Sequence, residues 1–296
     1  MDRKRRPFIQ LKEQPMQFKE QGKEQRQSYP KKLTKREKIL EEMKQKMKTA
    51  FLSRDAILVH IDGMIEDLEK ALNLLFERLS EWYSIYFPEL KVAERTKYCR
   101  LVLAIDKEDM KGTTSRVKDV AGDNADEIIK QLETTSGIDL LGKDVEKIRE
   151  VANKIIELEK LKAEIEKYEE GVVREVCPNL AEVGGPKIAA KLVAHVGGLQ
   201  KLAKLPASTI QVLGAEKALF RHLRRNTKPP KHGIIFQHTA VHSAPRALRG
   251  KIARALATKL SIAAKIDSYG KRFVGKELRE KLDVKIKEIL EHGNKS

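Results

Sequence analysis

The sequence predicts an all-α protein, a long antiparallel helical coiled coil followed by a compact α-helical domain. Three observations predict it. Apolar residues recur at steps of three and four over two long stretches. The composition, with 35% charged but only 5% aromatic residues, is the profile of long helices. Strand-like alternation is nearly absent, and Gly233-Ile234-Ile235-Phe236 is the one tempting run. At 296 residues the chain has room for two domains, or for one domain and an extended element.

Residues 1–50 are expected to be a basic, disordered N-terminal segment, most clearly over the first 33 residues, where Pro7, Pro15, Gly22 and Pro30 interrupt a polar stretch. It reads either as an arm that orders on RNA or as a solubilising tail. Its opening MDRKRRPF has no apolar core behind it, so it does not read as a secretory signal. No run of 18 apolar residues predicts a membrane span.

Residues 51–171 are the expected coiled-coil region. The first seam runs Leu58, Ile61, Ile65, Leu68, Leu72, Leu75, Leu79, Trp82 and Tyr86, ending at Phe87-Pro88. The second runs Val145, Ile148, Ala152, Ile155, Leu158, Leu161, Ile165 and Tyr168, with its end expected near Gly171. Shorter helices are expected at about 89–108 and 114–134. Folded back on each other, the long helices make a rod that serves as a spacer or as a dimerisation device.

Residues 172–291 are the expected compact domain. A short amphipathic helix lies between Gly184-Gly185 and Gly197-Gly198. A basic helix follows over 215–225, then a loop at Pro229-Pro230, a long helix over about 244–269 and a final helix over about 275–291.

The net charge of +17 is segregated. Residues 55–170 hold 27 acidic and 18 basic side chains, whereas residues 214–254 hold ten Lys or Arg against one acid, Glu216. The first 38 residues carry 13 basic and five acidic side chains. Solubility alone does not sort charge this way; a nucleic-acid footprint does. Within 215–225, Lys217, Arg221 and Arg224 share one helix face, and Gly214 allows close backbone approach. Glu216 suits the positive end of that helix, and Arg246, Arg249, Lys251 and Arg254 load the start of the later one. Gly184-Gly185-Pro186-Lys187 reads either as a phosphate-receiving hairpin turn or as a tight interhelical turn.

No enzyme constellation emerges. His238 and His242 are four apart, but no acidic ligand accompanies them, so no metal site is expected. There is no phosphate-cradling P-loop and no nucleophile elbow. Cys99 and Cys177 are expected to be isolated buried thiols.

The segments VGGPKIAAKLVAHVGGL, GAEKALFRHLR and PPKHGIIFQHTAVHSAPRALRGKIARALATKLSIAAKID closely resemble the Nop domain of archaeal box C/D ribonucleoprotein core proteins. That domain also occurs in eukaryotic nucleolar homologues and a spliceosomal relative. LLFERLSEWYSIYFPEL resembles the family's coiled-coil region, so the likeness covers about residues 50–291. The resemblance implies a scaffold that is not an enzyme and holds no cofactor. It implies a Nop domain that binds a kink-turn guide RNA once a small ribosomal-protein-like kink-turn-binding protein is in place. Carried over by motif, the RNA contacts fall on Gly214, Ala215, Glu216, Lys217, Arg221, Arg224, Lys231, His232, Gln237, Arg246 and Arg249.

The resemblance further implies a homodimer through the coiled coil, whose seam residues here are Leu58, Ile61, Ile65, Leu68, Leu72, Leu75, Leu79, Ile155, Leu158, Leu161 and Ile165. It places the protein in an archaeal cytoplasm, or in the nucleolus of a eukaryote. In the family a separate N-terminal domain recruits a fibrillarin-type methyltransferase for guide-directed 2′-O-methylation of rRNA and tRNA. Here a basic, low-complexity segment of about 50 residues stands before the coiled coil, too short to bury such a core, which puts recruitment in doubt. Two other readings stay open, a coiled-coil assembly protein that does not recruit the enzyme and a helix-hairpin-helix DNA binder.

Overall fold

The computed structural model describes residues 34–52, 54–225, 227–270 and 272–293. The predicted basic tail over residues 1–33 lies outside them. Among the described residues every regular element is helical, as predicted. The segment expected to be disordered up to residue 50 is helical from Lys35: α1 (Lys35–Leu52) starts on a reciprocal cap, in which Thr34 N–H donates to Glu37 Oε2 (2.8 Å) and Glu37 N–H to Thr34 Oγ1 (3.3 Å).

The rod consists of α2 (Arg54–Tyr83) and α6 (Gly142–Val176). They run antiparallel: Arg54 at the start of α2 pairs with Glu175 at the end of α6, and Glu69 pairs with Lys162 further along. Between them in sequence come α3 (Arg95–Ala104), α4 (Met110–Ala121) and α5 (Ala125–Glu133), which pack at the far end of the rod. Helix α6 passes straight through Gly171, where the predicted end was placed. A Cβ there would meet nothing within 4 Å, and the buried Val172 and Val173 that follow hold the helix to its core. It stops at Cys177 because the residue before Pro178 is barred from the α region.

The predicted seam also needs a correction. Leu58, Ile61, Leu72 and Leu79 are buried, but Leu75 is 39% exposed, and Leu161 is exposed on α6. Burial passes instead through Phe76 to Leu79 and Tyr83. Positions seven apart, Leu58, Ile65, Leu72 and Leu79, keep to the contact face, and it is the alternate position Leu75 that turns away from it. Ile155 is buried, while Ile65, Leu158 and Ile165 are partly buried against the two cores and Leu68 is half-buried. Apart from Leu68, Leu75 and Leu161, the proposed dimerisation residues pack into the two cores of the chain itself.

Two apolar cores share these long helices. The first holds Leu72, Leu79 and Tyr83 of α2, Ile148, Ala152 and Ile155 of α6, and the inner faces of α3–α5. The second joins Leu58 and Val173 to seven further helices: α7 (Pro178–Gly184), α8 (Pro186–Val196), α9 (Leu199–Lys204), α10 (Ala207–Val212), α12 (Thr239–His242), α13 (Arg249–Lys265) and α14 (Gly275–Gly293). The expected boundary at 171–172 therefore falls inside an unbroken helix. An ion cluster sits on the rod between the cores: Arg95 of α3 reaches Glu69 (3.0 Å) and Glu159 (2.7 Å), and Lys162 closes on Glu69.

The predicted helix over 244–269 is shorter than expected. Pro245 opens a turn whose carbonyl accepts from Leu248 and Arg249, so α13 begins at Arg249. It ends at Lys265 in a π-helical turn, Ile266–Gly270. Asp267 of that turn accepts from the amides of Asn179 (3.1 Å) and Leu180 (2.8 Å), which ties α7 to the end of α13. Cys99 and Cys177 are free and buried, and burial pushes the Cys99 thiol up to about 12.

The shifted seam is checked by urea denaturation. Leu72→Ala is expected to cost about 3 kcal/mol, and Leu75→Ala less than about 1 kcal/mol. Glu69 provides a pH test, because hydrogen bonds from Arg95 and Lys162 hold its carboxyl at about 2 instead of 4.5. A depressed carboxylate stabilises the fold fully above its unfolded value, and that contribution is lost as pH falls toward 2. Tm measured against pH is expected to fall less steeply through this range in Glu69→Gln than in the natural chain.

Candidate nucleic-acid interface

The basic segment starts where α10 ends. Gly214 turns the chain at φ +83°, and α11 (Glu216–Arg225) begins two residues later. A second pass of the chain pins this turn. Gly233 N–H donates to the Gln211 carbonyl (3.0 Å), Ile234 N–H to that of Leu213 (2.7 Å), and Gln211 Nε2 to that of Lys231 (2.8 Å). The two passes are too close for side chains. A Cβ on Gly233 would lie 1.9 Å from the Leu213 oxygen, and one on Gly214 would lie 2.6 Å from Ile234 Cγ1. The tempting strand at 233–236 is accordingly a 3-10 turn, Ile234–Gln237, with Ile235 buried beneath it.

Glu216 turns back into this junction. Its Oε1 accepts from Gly214 N–H (2.7 Å) and lies 2.8 Å from Nε2 of His195 on α8. Burial raises its pKa, but hydrogen bonds from Gly214, its own amide and His195 outweigh that, so the net shift is downward. The only acid of the basic segment is thus engaged in holding the turn.

Across the turn lies an open cavity of about 890 Å³ lined by Lys228, Lys231, His232, Arg246, Ala247 and Arg249, with no acidic side chain. Its wall is a stack. The His232 ring lies on Phe236 with centroids 4.4 Å apart and planes at 12°, and the Arg249 guanidinium carbon is 5.4 Å from the Phe236 centroid. Arg249 is fixed by donating to the carbonyls of Ala244 (2.9 Å) and His242 (3.1 Å). Burial, and then the nearby Arg249 charge, lower the His232 pKa, so the ring is neutral at neutral pH. Arg246 stands in the turn before α13, not within its first turns as the sequence suggested.

The predicted contacts therefore fall in four places. Gly214, Ala215 and Glu216 form the pinned turn. Lys231, His232, Arg246 and Arg249 line the cavity. Lys217, Arg221 and Arg224 are exposed on α11, which has no buried residue, and Phe220 and Leu223 are exposed there as well. Gln237 is separate, lining a cavity of about 320 Å³ beside Gly185 and Arg279. Gly184-Gly185-Pro186 joins α7 to α8, with Gly185 at φ +83° and Pro186 opening α8.

Sequence reasoning missed three residues. Lys228 had its signal in the KPPK run; Phe236 was hidden in an apparent strand; His195, as the partner of Glu216, had none. Among the described residues no three His, Cys, Asp or Glu side chains converge as metal ligands, and no helix is long and apolar enough to cross a membrane.

A glycine-pinned turn beside an acid-free, ring-backed basic cavity defines an all-α protein with a surface shaped for a polyanion. The chain belongs to the Nop family: the family model described as "snoRNA binding domain, fibrillarin" matches residues 64–288. It is 43% identical over 249 residues to an uncharacterised NOP5 family protein of Methanocaldococcus jannaschii, covering 83% of this chain and 60% of that protein. It is 32% identical over 241 residues to nucleolar protein 56 of Caenorhabditis elegans, covering 77% and 50%, and 32% identical over 239 residues to nucleolar protein 58 of Scheffersomyces stipitis, covering 78% and 46%. The chain thus spans about half the length of these curated relatives. Among solved structures, a chain of a fibrillarin/Nop5p complex superposes with a TM-score of 0.51 at 28% identity, covering 85% of this chain and 78% of that one.

The close pass of the two backbone segments is tested by Gly233→Ala. Amide exchange is expected to accelerate at Gly214 and Ile234 while the amides of α2 and α6 stay protected. Unchanged exchange at the turn would show that the approach is looser than described.

Proposed function

We propose that this chain is an RNA-binding scaffold of a box C/D-type ribonucleoprotein, in an archaeal cytoplasm or a eukaryotic nucleolus. It holds a kink-turn guide RNA jointly with a kink-turn-binding protein, in support of 2′-O-methylation carried out by a separate fibrillarin-type enzyme. The observation that carries this reading is the acid-free cavity beside the Gly214 turn. Lys228, Lys231 and Arg246 match phosphates, and the His232 ring is a flat surface on which a base can stack. Membership of a family described by snoRNA binding supports the choice of RNA over duplex DNA.

Within this reading residues 51–171 are the spacer and residues 172–291 the RNA-binding module. Lys217, Arg221 and Arg224 extend the phosphate track, and Phe220 and Leu223 beside them give the kink-turn-binding protein apolar area to cover. Dimerisation, in turn, uses the outer surface of the rod. Leu74, Leu75, Trp82 and Ile85 on and just beyond α2 are exposed, as are Ile138, whose amide bonds the Ile85 carbonyl, and Leu141.

Binding to a kink-turn RNA is measured with and without the kink-turn protein across a salt series. Affinity is expected to rise when that protein is present, and equal affinity would remove the composite surface from the proposal. Arg246→Ala is expected to lower the slope of log K against log salt by about one, with far-UV circular dichroism unchanged.

A further inference from the structure

Helix α8 carries three basic residues four apart, Lys187, Lys191 and His195, and each faces acids on another element. Lys187 pairs with Glu166 of α6 at 3.0 Å, and His195 pairs with Glu216 at 2.8 Å. Lys191 is different. It acts electrostatically on Asp62 of α2 and Glu169 of α6 without an ion pair to either. Lys191, Asp62 and Glu169 share a cavity of about 530 Å³ between α2, α6 and α8, well away in sequence from the basic cavity above.

The charges around this cavity do not balance. Lys162 is held by Glu69, Lys187 by Glu166 and Lys70 by Asp67. That leaves Asp62, Glu66 and Glu169 without an ion pair, though the charges of Lys191 and Lys187 act on Glu169 and those of Lys191 and His195 act on Asp62. Glu169 is 5% exposed, and its Oε1 has no hydrogen-bond partner. An unsatisfied buried carboxylate oxygen is costly, and its retention marks a position that a ligand can satisfy. Burial, then Asp62 and Glu166, push the Glu169 carboxyl up to about 7. Burial and Glu66 likewise raise Asp62.

The ligand chemistry follows from the lining. No three of these side chains converge as direct metal ligands. The cavity is large for a bare ion, and Ile65 gives it an apolar wall. An ammonium head supplies three donors to carboxylate oxygens, and a methylene spacer lies well on an isoleucine. We propose that this junction cavity binds a linear polyamine, with its ammonium groups taken by Glu169, Asp62 and Glu66 and its methylenes lying against Ile65.

The test uses the full chain without RNA, so its outcome is independent of the scaffold reading. Spermidine at a hundredfold excess over its Kd is expected to raise Tm by roughly 5 °C. The rise is expected to vanish in Glu169→Gln and to be absent with magnesium chloride at matched ionic strength. By calorimetry, affinity is expected to increase as pH is raised through about 7, because the cation selects the ionised Glu169, and to lose that dependence in Glu169→Gln. Should Glu169→Gln fold poorly, the exposed Glu66→Gln takes its place and is expected to weaken spermidine binding several-fold. No rise in Tm, an equal rise in the variants, or an equal rise with magnesium would each overturn the proposal.

Discussion

The arrangement of the molecule depends on the packing of α8. Its apolar side, Ile188, Ala189, Ala190, Leu192 and Val193, is wholly buried, and the helix touches α2, α6, α7, α9 and the 3-10 turn that follows Gly233. Three alanine or valine positions on a short helix allow its neighbours to approach closely, which is how one element meets so many others. Its polar side then fixes those neighbours. Lys187 anchors to the rod through Glu166, and His195 anchors to the Gly214 turn through Glu216. The basic surface thus takes its position from the same eleven residues that seat the rod.

The segregated charge has a structural meaning on both halves. On the rod, acids and bases interleave with the acids in excess, and the partly buried cations Lys162 of α6 and Arg95 of the adjoining α3 are each held by carboxylates from other helices. Around the cavity at Lys231 and Arg246 no such partners exist. Arg249 shows the alternative use of a cation, since its guanidinium is committed to two backbone carbonyls and a ring. Equal charge on Arg246 and Arg249 therefore corresponds to different roles, one free to meet a ligand and one shaping the wall.

Sequence periodicity was enough to read the helical class, both long helices and their antiparallel pairing, because long stripes at 3.6-residue spacing have few other solutions. It misplaced Leu75 and Leu161 because spacing alone does not say which neighbour covers each position: Leu79, beyond Leu75 in the same seam, is buried. Helix ends were the weaker part. Gly171 looks like a terminator but faces open space, whereas the terminator that acts is Pro178. At the candidate site the charge was legible, since Lys and Arg sit on outer faces whatever the fold. The engagement of Glu216 with His195 was not, because that contact joins residues 21 apart through a turn whose geometry depends on a third segment at Gly233.

Helix α11 has a consequence of its own. None of its ten residues is fully buried; its start is tied to the Gly214 turn and His195 through Glu216, and His222 bonds the Thr227 carbonyl. A helix of that length has little intrinsic stability in water, and three like-charged side chains on one face reduce it further. Whatever neutralises Lys217, Arg221 and Arg224 relieves that repulsion and so stabilises the helix that presents them. The free energy of polyanion binding on this face would therefore include a gain in helix stability that no contact with the ligand accounts for.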